Sequence, residues 1–170
     1  VLASLGISSQ LIVGRSLIYQ PDAKDLVIVE VGDDGREHRL VPDATAAWRE
    51  LRATAFADGV LIKIVSAFRS TERQAEIIRA KLAHGLSLDA ILCVSAPPGY
   101  SEHHSGCAVD VTTDNVRPLE VEFEGTKAFH WLSSNASRYG FYLSYPECNP
   151  QGYGYEPWHW CYRSVRSDSP

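Results

Sequence analysis

Apolar positions change their period several times along this chain, and each change marks an element. From residue 10 to 41 the pattern is β-like. An apolar run, "QLIVG", precedes "LVIVEVGDDGREHRLV", where two apolar stretches flank a Gly-Asp-Asp-Gly turn. Asp-Gly tolerates the positive φ of a tight turn, so a hairpin is predicted. The spacing then becomes helical. Ala47, Trp48, Leu51, Ala55 and Phe56 form one stripe, and Asp43 or Thr45 is placed to cap that helix. "GVLIKIVSAF" reads as a buried strand ending at Arg69. Ser70 or Thr71 opens the next helix, "TERQAEIIRAKLAHG", which Gly85 stops. "SLDAILCVS" predicts a short helix broken by "APPG". "CAVDVT" is strand-like, "TKAFHWLSSNASRYGF" is a helix from about Thr126 to Gly140, and "EPWHWCYR" is a terminal strand. The tail "RSVRSDSP" is polar and expected to fray.

Helices and strands interleave irregularly, with several strands close in sequence. That order favours an α+β fold, a mainly antiparallel sheet flanked by helices. At 170 residues the chain is long enough for one domain with a substantial core. Its 45% hydrophobic and 22% charged residues are ordinary globular values, which argues against disorder. A net charge of -5 argues against a nucleic-acid partner, since such proteins carry a basic surface. No apolar run approaches the roughly 18 residues of a membrane span. The start, "VLASLGISSQLIVG", has neither an initiating methionine nor a basic leader, which suggests a trimmed signal or anchor. Four cysteines permit bridges without requiring them.

The chemistry concentrates in two segments. In "GYSEHHSGCAVDV", strand alternation puts Ala108 and Asp110 on one face, and Cys107, Val109 and Val111 on the other. Asp110 therefore sits on a rigid element, and a turn at Gly106 would fold His103 back towards it. In "YEPWHWCY", Pro157 forbids a helix and pushes Glu156 into an extended conformation, so Glu156 and His159 are expected to meet at a bend. Two imidazoles and one carboxylate make three protein ligands, the usual number at a catalytic zinc, with a second carboxylate left to take a proton from water.

These same residues carry a resemblance. "SEHHSGCAVD" is similar to the Ser-x-His-x-x-Gly-x-x-x-Asp motif of the LAS zinc peptidases, and "EPWH" to their Glu-x-Trp-His motif. "SAFRS", "RQ", "WLSSNASRYGFYLSYP" and "GYGYEPWHWCY" resemble the VanY-like D-alanyl-D-alanine carboxypeptidase branch, in the family's order from about Leu61 to Tyr162. The resemblance implies a Hedgehog/D,D-peptidase-like fold and one zinc ion per chain held by His103, Asp110 and His159. It implies Glu156 as general base, Arg69 as a catalytic and substrate-binding group, and Gln74 and Ser101 as further substrate-binding residues. The implied partner is a peptidoglycan stem peptide losing a C-terminal D-alanine, outside the cytoplasm, to a monomeric enzyme. Residues 1–60 are expected to be an N-terminal extension, 61–162 the core and 163–170 a tail of a single domain. Ala67 and Phe68 stand where Gly-Tyr is commoner, so a tyrosine hydroxyl is lost there.

Plainer roles remain for several residues. His104 is expected to be a bystander or cleft-lining group, and His38, His84 and His130 ordinary surface or helix-end histidines. Trp158 and Trp160 alternate with His159 and should pack as core on the opposite face. Tyr153 to Tyr155 would line a cleft or simply pack a loop. Cys148 and Cys161 flank the glutamate motif and are expected to form a bridge if any forms. Two histidines and a carboxylate also suit a non-haem iron oxygenase, but Glu156 and Arg69 have no role in one. An endopeptidase of the same family and a non-catalytic zinc-binding module are the remaining alternatives.

Overall fold

The computed structural model describes residues 1–164, so most of the polar tail lies outside the described residues. The hairpin forms where predicted. β1 (Val27–Val31) and β2 (Glu37–Leu40) pair antiparallel, Gly32 N–H donates to Arg36 O at 2.8 Å, and Gly35 takes a φ of 78°. "QLIVG" instead becomes α1 (Ser9–Gly14). A short apolar run does not fix its own period. Ser8 caps this one by accepting from Leu11 N at 3.3 Å, and Ile12 is buried while Val13 faces solvent.

The central sheet has four strands in the order β3-β4-β6-β5, all antiparallel: β3 (Lys63–Ser66), β4 (Ala108–Thr112), β5 (Phe141–Leu143) and β6 (His159–Tyr162). Register divides its two faces. Val109 stands opposite Trp160 on one face, and Asp110 stands opposite His159 on the other. The Val109 face is covered by α2 (Pro42–Ala57) and α5 (Lys127–Asn135). Trp48, Leu51, Ala55, Val111, Leu132 and Phe141 complete that core. Each of the larger side chains among them contributes about 1.5–3 kcal/mol by leaving water. α2 begins at Pro42, whose missing N–H costs nothing at the first helical position, so neither Asp43 nor Thr45 caps it. Phe56, expected in the buried stripe, is 72% exposed on the last turn.

The expected long helix after Thr126 breaks. Thr126 caps α5, but from Ala136 the chain tightens into a 3₁₀ turn and stops at Gly140, whose φ is 76°. β5 follows at once.

A second core forms separately from the first. Ala75 and Ile78 of α3 (Thr71–Ala83) meet Ile91 and Leu92 of α4 (Leu88–Val94) together with Leu5, Ile7 and Ile12. The first sixty residues thus pack into the body of the fold. Arg15 donates from Nε to Gln151 O at 2.6 Å and from a terminal nitrogen to Leu92 O at 2.7 Å. Gln20 N donates to Gly99 O and Ala23 N to His104 O. All four cysteines are free, so the expected Cys148–Cys161 bridge is absent: Cys148 is exposed and Cys161 is buried in β6.

Two histidines depart from expectation. His38 is buried on β2, not a surface group. His104 has no solvent exposure and braces two loops: Gly99 N–H donates to its Nε2 at 3.1 Å, and its Nδ1–H donates to Arg69 O at 2.6 Å. Accepting from Gly99 requires a neutral ring, and burial correspondingly lowers its pKa below the ordinary 6.5. A base with a lowered folded pKa binds more protons when unfolded, so this contribution is present above pH 6.5 and is lost as pH falls below it. His104→Ala is expected to cost about 2–4 kcal/mol at pH 7.5, because Arg69 O and Gly99 N lose their partner. Urea unfolding at pH 7.5 and 5.5 checks both statements, with the variant losing less stability on acidification than the parent.

Candidate metal centre and catalytic cleft

Three segments deliver the polar side chains to one place. β4 and β6 set Asp110 and His159 side by side, and a 3₁₀ turn (Glu102–Ser105) supplies His103. Gly106 ends that turn with a φ of 69°, and a Cβ there would lie 2.9 Å from the Leu26 side chain and 3.0 Å from that of Val41, so backbone strain and crowding both favour glycine. Beyond β3 the predicted strand leaves the sheet. Its extension is tied to the 3₁₀ turn instead, with Arg69 N–H donating to His103 O at 3.2 Å. His103 Nε2 lies 3.1 Å from Asp110 Oδ2, and His159 Nδ1 lies 2.9 Å from Asp110 Oδ1. One ligand atom from each of the three residues lies within 4.8 Å of the others, and all three are buried.

Hydrogen bonding fixes which nitrogens face the centre. His103 Nδ1–H donates to Ala67 O at 2.7 Å, because a carbonyl can only accept. Burial holds His103 below its ordinary pKa, so its Nε2 turns a lone pair towards a carboxylate oxygen. Two acceptors 3.1 Å apart in a buried site repel unless a cation joins them. His159 is held from behind by Glu102, whose Oε2 accepts from Nε2 at 3.0 Å, leaving Nδ1 towards Asp110. Burial opposes a charged His159, yet the hydrogen bonds to Asp110 and Glu102 outweigh it and push the pKa up to about 10. Glu102 and Asp110 are held well below the carboxylate range against the opposing pull of burial, Glu102 at about 2. Two imidazole nitrogens, each oriented by an outer partner, and a carboxylate suit zinc by ligand type and number.

Every residue proposed from the motifs lines the same cavity of about 430 Å³. Glu156 Oε2 lies 3.9 Å from His159 Nδ1. Its backbone N–H donates to Tyr145 O, and its carbonyl accepts from His159 N, which makes the expected bend. Burial and the charge of Asp110 push the Glu156 carboxyl up to about 7, with His159 and Arg69 opposing. The guanidinium of Arg69 is largely desolvated, its Nε has no hydrogen-bond partner, and Asp110 and Glu156 favour its charge. Gln74 is buried on α3; its Nε2 donates to Ala96 O at 2.7 Å while Oε1 has no partner. Ser101 is buried at the cavity wall. Trp160 is core, whereas Trp158 is half-buried and also lines the cavity.

Two participants escaped the sequence reading. Glu102 is the residue next to His103 within the first motif, and only the fold shows that it reaches His159 of the second. Tyr145 follows β5 and lays its ring 4.7 Å from that of His159. Its burial, with nearby carboxylates, raises its hydroxyl pKa. No spacing rule links it to either motif.

An α+β sheet that carries a His-Asp-His cluster beside a glutamate of raised pKa has the donor set and neighbouring carboxyl of a candidate metal-dependent hydrolytic site. More specifically, the chain belongs to the VanY D-alanyl-D-alanine carboxypeptidase family, whose match covers residues 37–165. It is 33% identical over 130 residues to a D-alanyl-D-alanine carboxypeptidase of Enterococcus faecalis, covering 70% of this chain and 46% of that protein. It is 32% identical over 148 residues to the putative carboxypeptidase YodJ of Bacillus subtilis, covering 83% and 53%. The chain therefore spans about half the length of these curated relatives. Among solved structures, the LdcB LD-carboxypeptidase superposes with a TM-score of 0.74 at 30% identity, covering 83% of this chain and 69% of that one. A VanY D,D-pentapeptidase mutant in complex with Zn(II) gives 0.65 at 31%, covering 87% and 88%.

The role of Glu102 is testable apart from catalysis. Glu102→Ala leaves His159 Nε2 without its acceptor and should weaken zinc binding about 10–100-fold. Glu102→Gln keeps an acceptor without the charge and should fall between. Competition with a chromophoric chelator measures both.

Proposed function

We propose that this chain is a zinc-dependent carboxypeptidase that removes a C-terminal D-alanine from peptidoglycan stem peptides. The observation that carries the reading is the cavity itself, where Glu156, its carboxyl pushed up to about 7, adjoins the His103-Asp110-His159 cluster and shares the lining with Arg69, which forms no ion pair among the described residues. Relatives of D,D- and L,D-carboxypeptidase type support this substrate class.

His103, Asp110 and His159 hold the metal in this reading. Bound zinc supplies Lewis-acid polarisation of the scissile carbonyl and of the attacking water. Glu156 accepts the proton of that water as oxygen adds to the carbonyl carbon. It returns the proton to the amide nitrogen as the C–N bond breaks, giving a free carboxylate and D-alanine. A pKa near 7 suits both transfers, since the group is neither too weak a base nor too weak an acid. Arg69 presents a planar fork to the substrate's terminal carboxylate, aided by Gln74 and Ser101. Peptidoglycan lies outside the cytoplasm, so an extracytoplasmic monomer is part of the proposal. No helix among the described residues is long and apolar enough to cross a membrane.

Glu156→Gln should retain zinc and lose about 10²–10⁴-fold in turnover, because an amide cannot accept the proton. Mass spectrometry of D-Ala-terminated stem peptides with and without chelator, alongside metal analysis, tests the reading. Near-parental turnover in Glu156→Gln would remove the base assignment. Arg69→Lys keeps the charge but not the fork, and should lower kcat/KM on free-acid peptides more than on amidated ones.

A further inference from the structure

The cavity carries a second cation that the motifs do not account for. Lys81 lies on α3 seven residues beyond Gln74, two helical turns along the same face. Its half-buried Nζ donates to Ser95 Oγ at 2.7 Å, and both residues line the cavity with Arg69 and Gln74. Neither Lys81 nor Arg69 forms an ion pair among the described residues, although Arg73 and Arg79 on the same helix as Lys81 do. We propose that Lys81 is a specificity-determining residue, which shares the substrate's terminal carboxylate with Arg69 and so makes the cleft selective for free chain ends.

Electrostatics favours one shared anion over two separate ones. Burial and the charge of Arg69 both lower the Lys81 pKa, with Glu156 opposing. Two partly desolvated like charges that form no ion pair among the described residues are costly, and a single carboxylate shared by them relieves both. Gln74 lines the same cavity, and its buried Oε1 has no partner among the described residues, an acceptor suited to an N–H of the bound peptide. Ser95 aims the lysine; the second core behind α3 and α4 fixes the two helices that carry the pair.

This inference rests on Arg69 as carboxylate anchor, and the test separates the two. kcat/KM is measured on a D-Ala-terminated peptide as free acid and as amide, for parent, Lys81→Met, Lys81→Arg and Ser95→Ala. Peptide affinity is measured in parallel by calorimetry in a Glu156→Gln background, where turnover does not interfere. The acid-to-amide ratio should fall roughly 10–100-fold in Lys81→Met, the range for one charge-assisted hydrogen bond. It should fall less in Ser95→Ala and be largely kept in Lys81→Arg. A parent that favours the acid, with the same ratio in Lys81→Met, overturns the Lys81 assignment and leaves Arg69 standing. A parent without acid preference overturns both.

Discussion

Asp110 stands directly across from His159 on adjacent antiparallel strands, and the rest of the cleft is arranged around that pair. Directly opposed residues have their side chains on one face, close enough to touch. The same register places Val109 against Trp160 on the other face, under α2 and α5. A slip of one residue would bury the carboxylate in the apolar core and turn valine towards the cleft. The hydrophobic core and the donor cluster therefore depend on one register. The apolar face beneath gives the two donors a rigid base.

His103 needs more help, because no ladder holds it. A left-handed Gly106 turns the chain back, the Ala67 carbonyl fixes the ring, and His104 ties the loop to Arg69 and Gly99. These bonds also position Arg69, which follows β3 outside the sheet. Residues 20–23 add two backbone bonds to the same region, so the N-terminal segment steadies the cleft from behind.

Charge in the cleft is divided between its walls. Glu102, Asp110 and Glu156 gather around His159, while Arg69 and Lys81 form no ion pair among the described residues. Paired charges would neutralise each other and leave little for a ligand. Separated ones are suited to holding a cation on one side and an anion on the other. Burial and the charge of Asp110 move Glu156 to about 7, outweighing His159 and Arg69.

Alternation on "CAVDV" and the proline before Trp158 were enough to place Asp110 on a polar face and Glu156 at a bend, because both rest on local geometry. Periodicity likewise located α3 and the hairpin. It failed where local preference was weak. "QLIVG" took its helix from a serine cap and from contacts with α3 and α4, and the helix after Thr126 tightened and ended before β5. His104 and His38 looked like bystanders because burial comes from partners far along the chain. The reach of Glu102 to His159, across 57 positions, and the placing of Lys81 beside Arg69 required the folded chain. Sequence specifies each residue's chemistry and its local direction. Only tertiary packing brings distant side chains within bonding distance, because that depends on strand register and on which loops the cores hold in place.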